Sequence, residues 1–166
     1  MKTVIIGNAG SGKTWLAKRI ATLSIDVIHL DNFFWMPDGF NKKRSEEKIN
    51  SLVKQSKESP EWIVEGVFGE LAELYLDIAT TLIWLDIPWE LCRLRLNKRA
   101  LENNKKHART QSKEGLKKLI KWASEYYDRI DFRSYIGHQK LFNNFNGIKI
   151  HIQSEQKANE YVKKSQ

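Results

Sequence analysis

The chain predicts a three-layer α/β fold built on a parallel sheet, and two observations carry that expectation. Five short apolar runs rich in β-branched residues, at 3–6, 26–30, 62–64, 81–85 and 148–152, are separated by longer helical patterns. Runs of this kind read as strands buried on both faces. The first run passes directly into a loop with three glycines and then into an amphipathic stretch. Such alternation implies βαβ units with right-handed crossovers, which place helices on both sides of a sheet.

The elements follow in order. Helical patterns occupy 14–23, 44–57, 69–78, 88–101 and 113–130, with Pro88 suited to a first helical turn. The last is the clearest, because Leu116, Leu119, Ile120, Ala123, Tyr127 and Ile130 fall on one stripe. The stretch 102–112 (ENNKKHARTQS) reads as a polar loop and 155–166 as a terminal helix, whereas 132–146 shows no pattern that assigns it. With 166 residues and no repeat, low-complexity tract or linker, the chain reads as a single domain, 1–166.

Composition excludes several classes. Hydrophobic residues make up 41% of the chain, enough for a sizeable core. No apolar run approaches the roughly 20 residues of a membrane helix, and the start is too short in apolar residues for a secretory signal. Cys92 stands alone, so neither a disulfide framework nor a thiolate zinc cluster is expected. These features together place the protein in the cytoplasm as an expectation, with no membrane partner. The net charge of +8 is local: residues 93–121 hold 11 Lys/Arg against Glu102 and Glu114. That stretch is where phosphates, free or in nucleic acid, would be held.

The loop Gly7-Asn8-Ala9-Gly10-Ser11-Gly12-Lys13-Thr14 matches G-x-x-x-x-G-K-[ST] at every fixed position, with a strand before it and a helix after it. Glycines permit positive φ and leave room for a phosphate. Successive N–H groups then form an anion-binding concavity at the positive end of the helix. Lys13 is expected at the β and γ phosphates of a nucleoside triphosphate, and Thr14 on Mg²⁺, which takes hard oxygen ligands. Phosphoryl transfer needs further parts: an acid near the metal, a group to orient or deprotonate the acceptor, and cations for the transferring charge.

Candidate acids lie where the strand runs end, the side on which parallel sheets collect ligands. Glu65 is the candidate near Mg²⁺, through water or directly, and Asp31 the acceptor-side residue and general base. Asp86 has a sufficient role as a helix-start acid. Arg95 and Arg99, four apart, share a helix face and suit bidentate phosphate contacts, whereas Arg93 points the other way. Arg109 is expected to reach the phosphates from the polar loop. Phe33, Phe34, Trp35 and Phe40 either wall an acceptor pocket or cover the core, and Arg44 is placed to meet an acceptor anion. His29 reads as a core residue and His107 as a lone histidine in a basic loop; no zinc spacing occurs.

These stretches, "VIIGNAGSGKTWLAKRI", "VIHLDNFFWMP", "WIVEGVF", "TLIWLDIPWELCRLRLNKR" and "LIKWASEYYDR", resemble the adenylate kinase-related P-loop family, and within it the small DNA topology modulation (FlaR-type) proteins. The resemblance implies a P-loop NTPase fold with a five-stranded parallel sheet, an acceptor-side segment at 31–60, a short lid at about 102–113, and use of ATP and Mg²⁺. It maps Glu65-Gly66 onto the Asp-Gly after the third strand of nucleoside monophosphate kinases, and Arg95 and Arg99 onto their phosphate-binding arginines. It departs at Glu65-Gly66-Val67-Phe68-Gly69, where those kinases carry Asp-Gly-Phe-Pro-Arg and use that arginine for the acceptor phosphate. The expected activity is phosphotransfer from ATP to a nucleotide, nucleoside or similar small molecule, with Lys13, Asp31, Arg95 and Arg99 as its catalytic residues. A nucleic-acid-associated ATP-binding regulator is the second reading, less favoured because the basic residues flank a loop and no helix-turn-helix or zinc pattern accompanies them.

Overall fold

A computed structural model describes residues 1–39, 42–103 and 113–165, with the side chains of 102 and 103 left aside. The five expected runs form strands β1 (Lys2–Gly7), β2 (Asp26–His29), β3 (Trp62–Gly66), β4 (Thr81–Leu85) and β5 (Ile148–Ile152). All pair in parallel, in the order β2-β3-β1-β4-β5. The glycine loop therefore leaves the central strand, with β3 on one side and β4 on the other. The sequence between and after the strands forms helices α1 (Lys13–Ile20), α2 (Leu30–Phe34), α3 (Glu46–Ser56), α4 (Gly69–Glu73), α5 (Trp89–Asn103), α6 (Lys113–Ser124), α7 (Tyr135–Asn144) and α8 (Glu155–Ser165).

Alternate residues of each strand feed two cores, one on each face of the sheet. Val4, Ile6, Trp62, Val64 and Trp84 pack with Leu30, Phe34, Ile49, Leu71 and Leu141 from α2, α3, α4 and α7. Ile5, Ile63, Ile83 and Leu85 pack with Leu16, Ala17, Cys92 and Val162 from α1, α5 and α8. Both faces are covered, which is why the strands read as unbroken apolar runs. Among the described residues no helix is long and apolar enough to cross a membrane.

Three local expectations are corrected. The helix expected over 113–130 ends at Ser124; beyond it Tyr126 is buried, while Tyr127 is 48% and Ile130 85% exposed. Turns over 125–128 redirect the chain so that Tyr126 faces inward. The stretch left unassigned contains α7, capped by Ser134, whose hydroxyl accepts from the Gly137 N–H at 3.1 Å. Between β2 and α3 a short helix, α2, interrupts the aromatic segment, and α3 starts at Glu46 behind the Ser45 cap.

Candidate active site

The phosphate-type loop has the backbone its glycines predict. Gly10 and Gly12 take φ of 79° and 99°, and a Cβ on Gly10 would stand 2.6 Å from the Cys92 carbonyl oxygen. Gly12 caps α1, whose first N–H groups lack intrahelical partners, the arrangement that favours anions at helix N-termini. Side chains brace the loop from outside. Asn8 accepts from the Ala9 N–H at 2.8 Å and donates to the Ala123 carbonyl of α6 at 2.9 Å. Arg95 donates to the Ser11 carbonyl at 2.9 Å and lies 3.6 Å from the Glu155 carboxylate. The Lys13 ammonium donates to the Asn8 carbonyl at 2.8 Å. Burial pulls the Lys13 pKa down, while Glu65 and Asp31 oppose that fall.

The register of β2 on β3 sets His29 opposite Glu65. His29 Nδ1–H donates to Glu65 Oε1 at 2.6 Å, and the Thr14 hydroxyl donates to the same oxygen at 2.8 Å. Burial alone would raise the Glu65 pKa; the His29 bond, the Lys13 charge and the Thr14 bond outweigh it, and the net shift is downward. His29 is raised in turn, chiefly by its bond to Glu65. Asp31 lies one residue past α2's start, and there burial wins: its carboxyl is raised, with Lys13 opposing. Thr14 and Glu65 bring two hard oxygen donors within 2.8 Å of each other at the loop's end. That pair fits Mg²⁺, which binds through one or two protein oxygens plus phosphate and water.

One cavity of about 660 Å³ runs across the carboxyl ends of the strands, within the usual range for small-molecule sites. Its lining unites Ala9–Thr14 with Asp31, Glu65, Arg95 and Arg99. On the β5 side it is bounded by Trp15, Arg19, Glu155, Ala158 and Asn159, and it is also lined by Val67, Leu119 and Trp122. Of the motif's eight residues, Gly7 and Asn8 shape the loop from behind and do not line the cavity. Arg109, Phe40, His107 and the expected lid at about 102–113, apart from Lys113 at the start of α6, lie outside the described residues or their described side chains.

Other candidates are placed elsewhere. Asp86 accepts from His151 Nε2 on β5 at 3.0 Å, so it faces a neighbouring strand and does not start the helix. Arg44 faces the Asn32 carbonyl at 3.4 Å and does not line the cavity. Phe34 is buried in the core, with Phe33 and Trp35 packed against it, so these three described aromatics cover the core. His29, read as core, is 29% exposed and bonded to Glu65. Val67 is held by a directed relay. Trp84 Nε1–H donates to the Tyr126 oxygen at 3.2 Å, the Tyr126 hydroxyl donates to His138 Nδ1 at 2.8 Å, and His138 Nε2–H donates to the Val67 carbonyl at 3.0 Å. Burial depresses His138 to about 3, which keeps the ring neutral and the relay's direction fixed. His29, Trp122 and His138 are the residues the sequence reading missed.

No family model matches the chain, and no curated protein matches it in sequence. Solved structures do match. A shikimate kinase from Acinetobacter baumannii in complex with shikimate aligns over 99% of this chain and 90% of its own, at 13% identity and a TM-score of 0.57. A gluconokinase from Sinorhizobium meliloti 1021 aligns over 99% and 88%, at 12% identity and a TM-score of 0.55. Identity this low speaks to architecture alone, and on that level the chain has the three-layer α/β fold of the P-loop kinases.

Proposed function

We propose that this protein is an ATP- and Mg²⁺-dependent phosphotransferase acting on a small molecule. One observation carries the reading: a single cavity holds the phosphate-type loop, Lys13, the Thr14–Glu65 pair and two carboxyls whose affinities for protons are pushed apart. Opposed shifts of that kind separate an acid–base group from a charged one. The narrower kinship with the DNA topology modulation proteins rests on the quoted sequence stretches.

In this reading the loop amides and Lys13 hold the polyphosphate of the triphosphate. Thr14 and Glu65 hold Mg²⁺, which when bound neutralises phosphate charge and orients the transferring group. Asp31, its carboxyl raised toward the working range, orients the acceptor hydroxyl and takes its proton. The acceptor oxygen forms its bond to the γ-phosphorus as the bond to the β–γ bridging oxygen breaks, and the nucleoside diphosphate leaves with that electron pair. Arg99 faces the cavity from α5 as a cation for the transferring charge; Arg95 lines it too, while fastening the loop.

The test is ADP release from Mg·ATP across a panel of hydroxyl acceptors, with phosphorylated product identified by mass. Acceptor-dependent release lost in Lys13→Ala is the expected result. Release at the water background for every acceptor, by a protein that binds Mg·ATP, overturns the reading.

A further inference from the structure

Trp122, in the last turn of α6, lines the cavity, as do Leu119 and Val67. The Arg129 guanidinium lies 3.8 Å over its ring. Arg129 is itself tied down: its Nη2 donates to the Arg133 carbonyl at 3.0 Å, and Asp131 stands 3.8 Å from Nη1. Arg133 in turn is paired with Glu70 and lies 4.5 Å over both Phe34 and Phe68. That chain of contacts sets Trp122 on the same side of the loop as the segments following β2 and β3, where Asp31 lies.

The arrangement has an energetic oddity. Arg129 Nε and Nη1 are buried with no hydrogen-bond partner among the described residues, a loss that is costly for a cation. The indole face, which attracts a cation electrostatically, joins the Asp131 carboxylate as compensation. A guanidinium committed to one face of a tryptophan fixes that ring in place and draws electron density toward itself. The opposite side of such a ring is a rigid, electron-poor surface, and Trp122 is part of the cavity lining. That surface suits a flat π system, and the ring face itself offers aliphatic hydroxyls no conventional hydrogen bond.

We infer that Trp122, backed by Arg129, is the stacking platform of the acceptor site, and that the acceptor is a hydroxyl compound carrying a planar heteroaromatic ring, the chemistry of a nucleoside. This rests on the phosphotransferase reading above. The ring lies on Trp122 and presents its hydroxyl to Asp31; the bond changes are those already given, with the proton passing to the Asp31 carboxylate.

The experiment compares purine and pyrimidine nucleosides, nucleoside monophosphates, and ring-free polyols and sugar acids as acceptors with Mg·ATP. Trp122→Ala, Trp122→Phe and Arg129→Met are assayed beside the wild-type chain, each checked for unchanged melting. Nucleosides are expected to be phosphorylated. Trp122→Ala raises the nucleoside KM roughly 5- to 150-fold, the span of a lost base–aromatic stack, with the KM for Mg·ATP unchanged. Trp122→Phe recovers most of the loss, and Arg129→Met gives a smaller rise of the same kind. If Trp122→Ala fails to fold, the Phe and Met variants carry the comparison. Turnover confined to polyols, sugar acids or monophosphates, or a nucleoside KM indifferent to all three variants, overturns this inference and leaves the phosphotransferase standing. Absence of turnover with every acceptor overturns both.

Discussion

Asp31, just past β2, and Glu65, near the end of the neighbouring β3, face one cavity and feel the same Lys13 charge, yet their carboxyls move in opposite directions. The difference lies in hydrogen-bond donors. Glu65 is 3% exposed and accepts from both His29 and Thr14 on one oxygen, so its charge survives burial. Asp31 receives no side-chain hydrogen bond among the described residues, and desolvation governs it. Two acids of nearly the same kind are thus set apart, one favouring its charged form and the other its proton. Strand register makes the distinction, because it is the β2–β3 pairing that brings His29 to Glu65.

The largest break comes from removing the cation both acids share. Lys13→Ala is expected to cost about 10³-fold or more in kcat, on the scale of losing a preorganised electrostatic donor, and steady-state assays with saturating Mg·ATP check it. Asp31→Asn is expected to lower kcat by about 10²-fold or more, as for loss of a general base, while the KM for ATP holds. Its signature is in the pH profile. Wild-type kcat falls as pH drops through the raised Asp31 value, and that acid limb vanishes in the variant. Glu65→Gln is expected to act on the metal, raising the Mg²⁺ concentration for half activity about 10- to 100-fold, a range typical of groups that hold or orient metal ligands. Excess Mg²⁺ then restores turnover in this variant and not in Asp31→Asn.

The smallest effect sharpens the comparison most. His29→Gln removes the charged partner of Glu65. A raised His29 value means its contribution to stability is full below the ordinary 6.5 and fades as pH climbs through the folded value. The lowered Glu65 value means its share is present above the ordinary 4.5 and is lost as pH falls through the folded one. The Tm gap between wild type and variant, measured in chelator, is therefore expected to be widest between about pH 4.5 and 6.5 and to narrow on either side.

What could be read beforehand follows the same division. The loop Gly7–Thr14 was legible because its chemistry is contiguous: one stretch supplies the glycines, the ammonium and the hydroxyl. The five strands were legible because burial on both faces leaves unbroken apolar runs. Asp31 and Glu65 showed themselves by ending such runs. His29 did not, since its role depends on which residue lies across the ladder, and pairing leaves no mark in a single strand. The stripe from Leu116 to Ile130 misled because Tyr127 and Ile130 keep helical spacing after the helix has stopped; Tyr126 is the buried tyrosine. In α7, Ser134 followed by Tyr135, His138, Leu141 and Phe142 carried a cap and a helical spacing that would have revealed it. Trp122 was hidden by composition: its meaning comes from Arg129 seven residues on, across a turn the spacing does not foretell.

Asn8 has a consequence for how motion spreads. Its amide carries a bond from the glycine loop to the Ala123 carbonyl, so a backbone built of permissive residues is moored to the closing turn of the helix in which the basic segment ends. Fluctuations of the two are then one event: amides at Gly10–Gly12 and in the last turn of α6 should trade their protons with solvent at matched rates, and Asn8→Ala should let the two sets drift apart. A jolt delivered to that helix from the surface has a direct route, through this carboxamide, to the glycine loop.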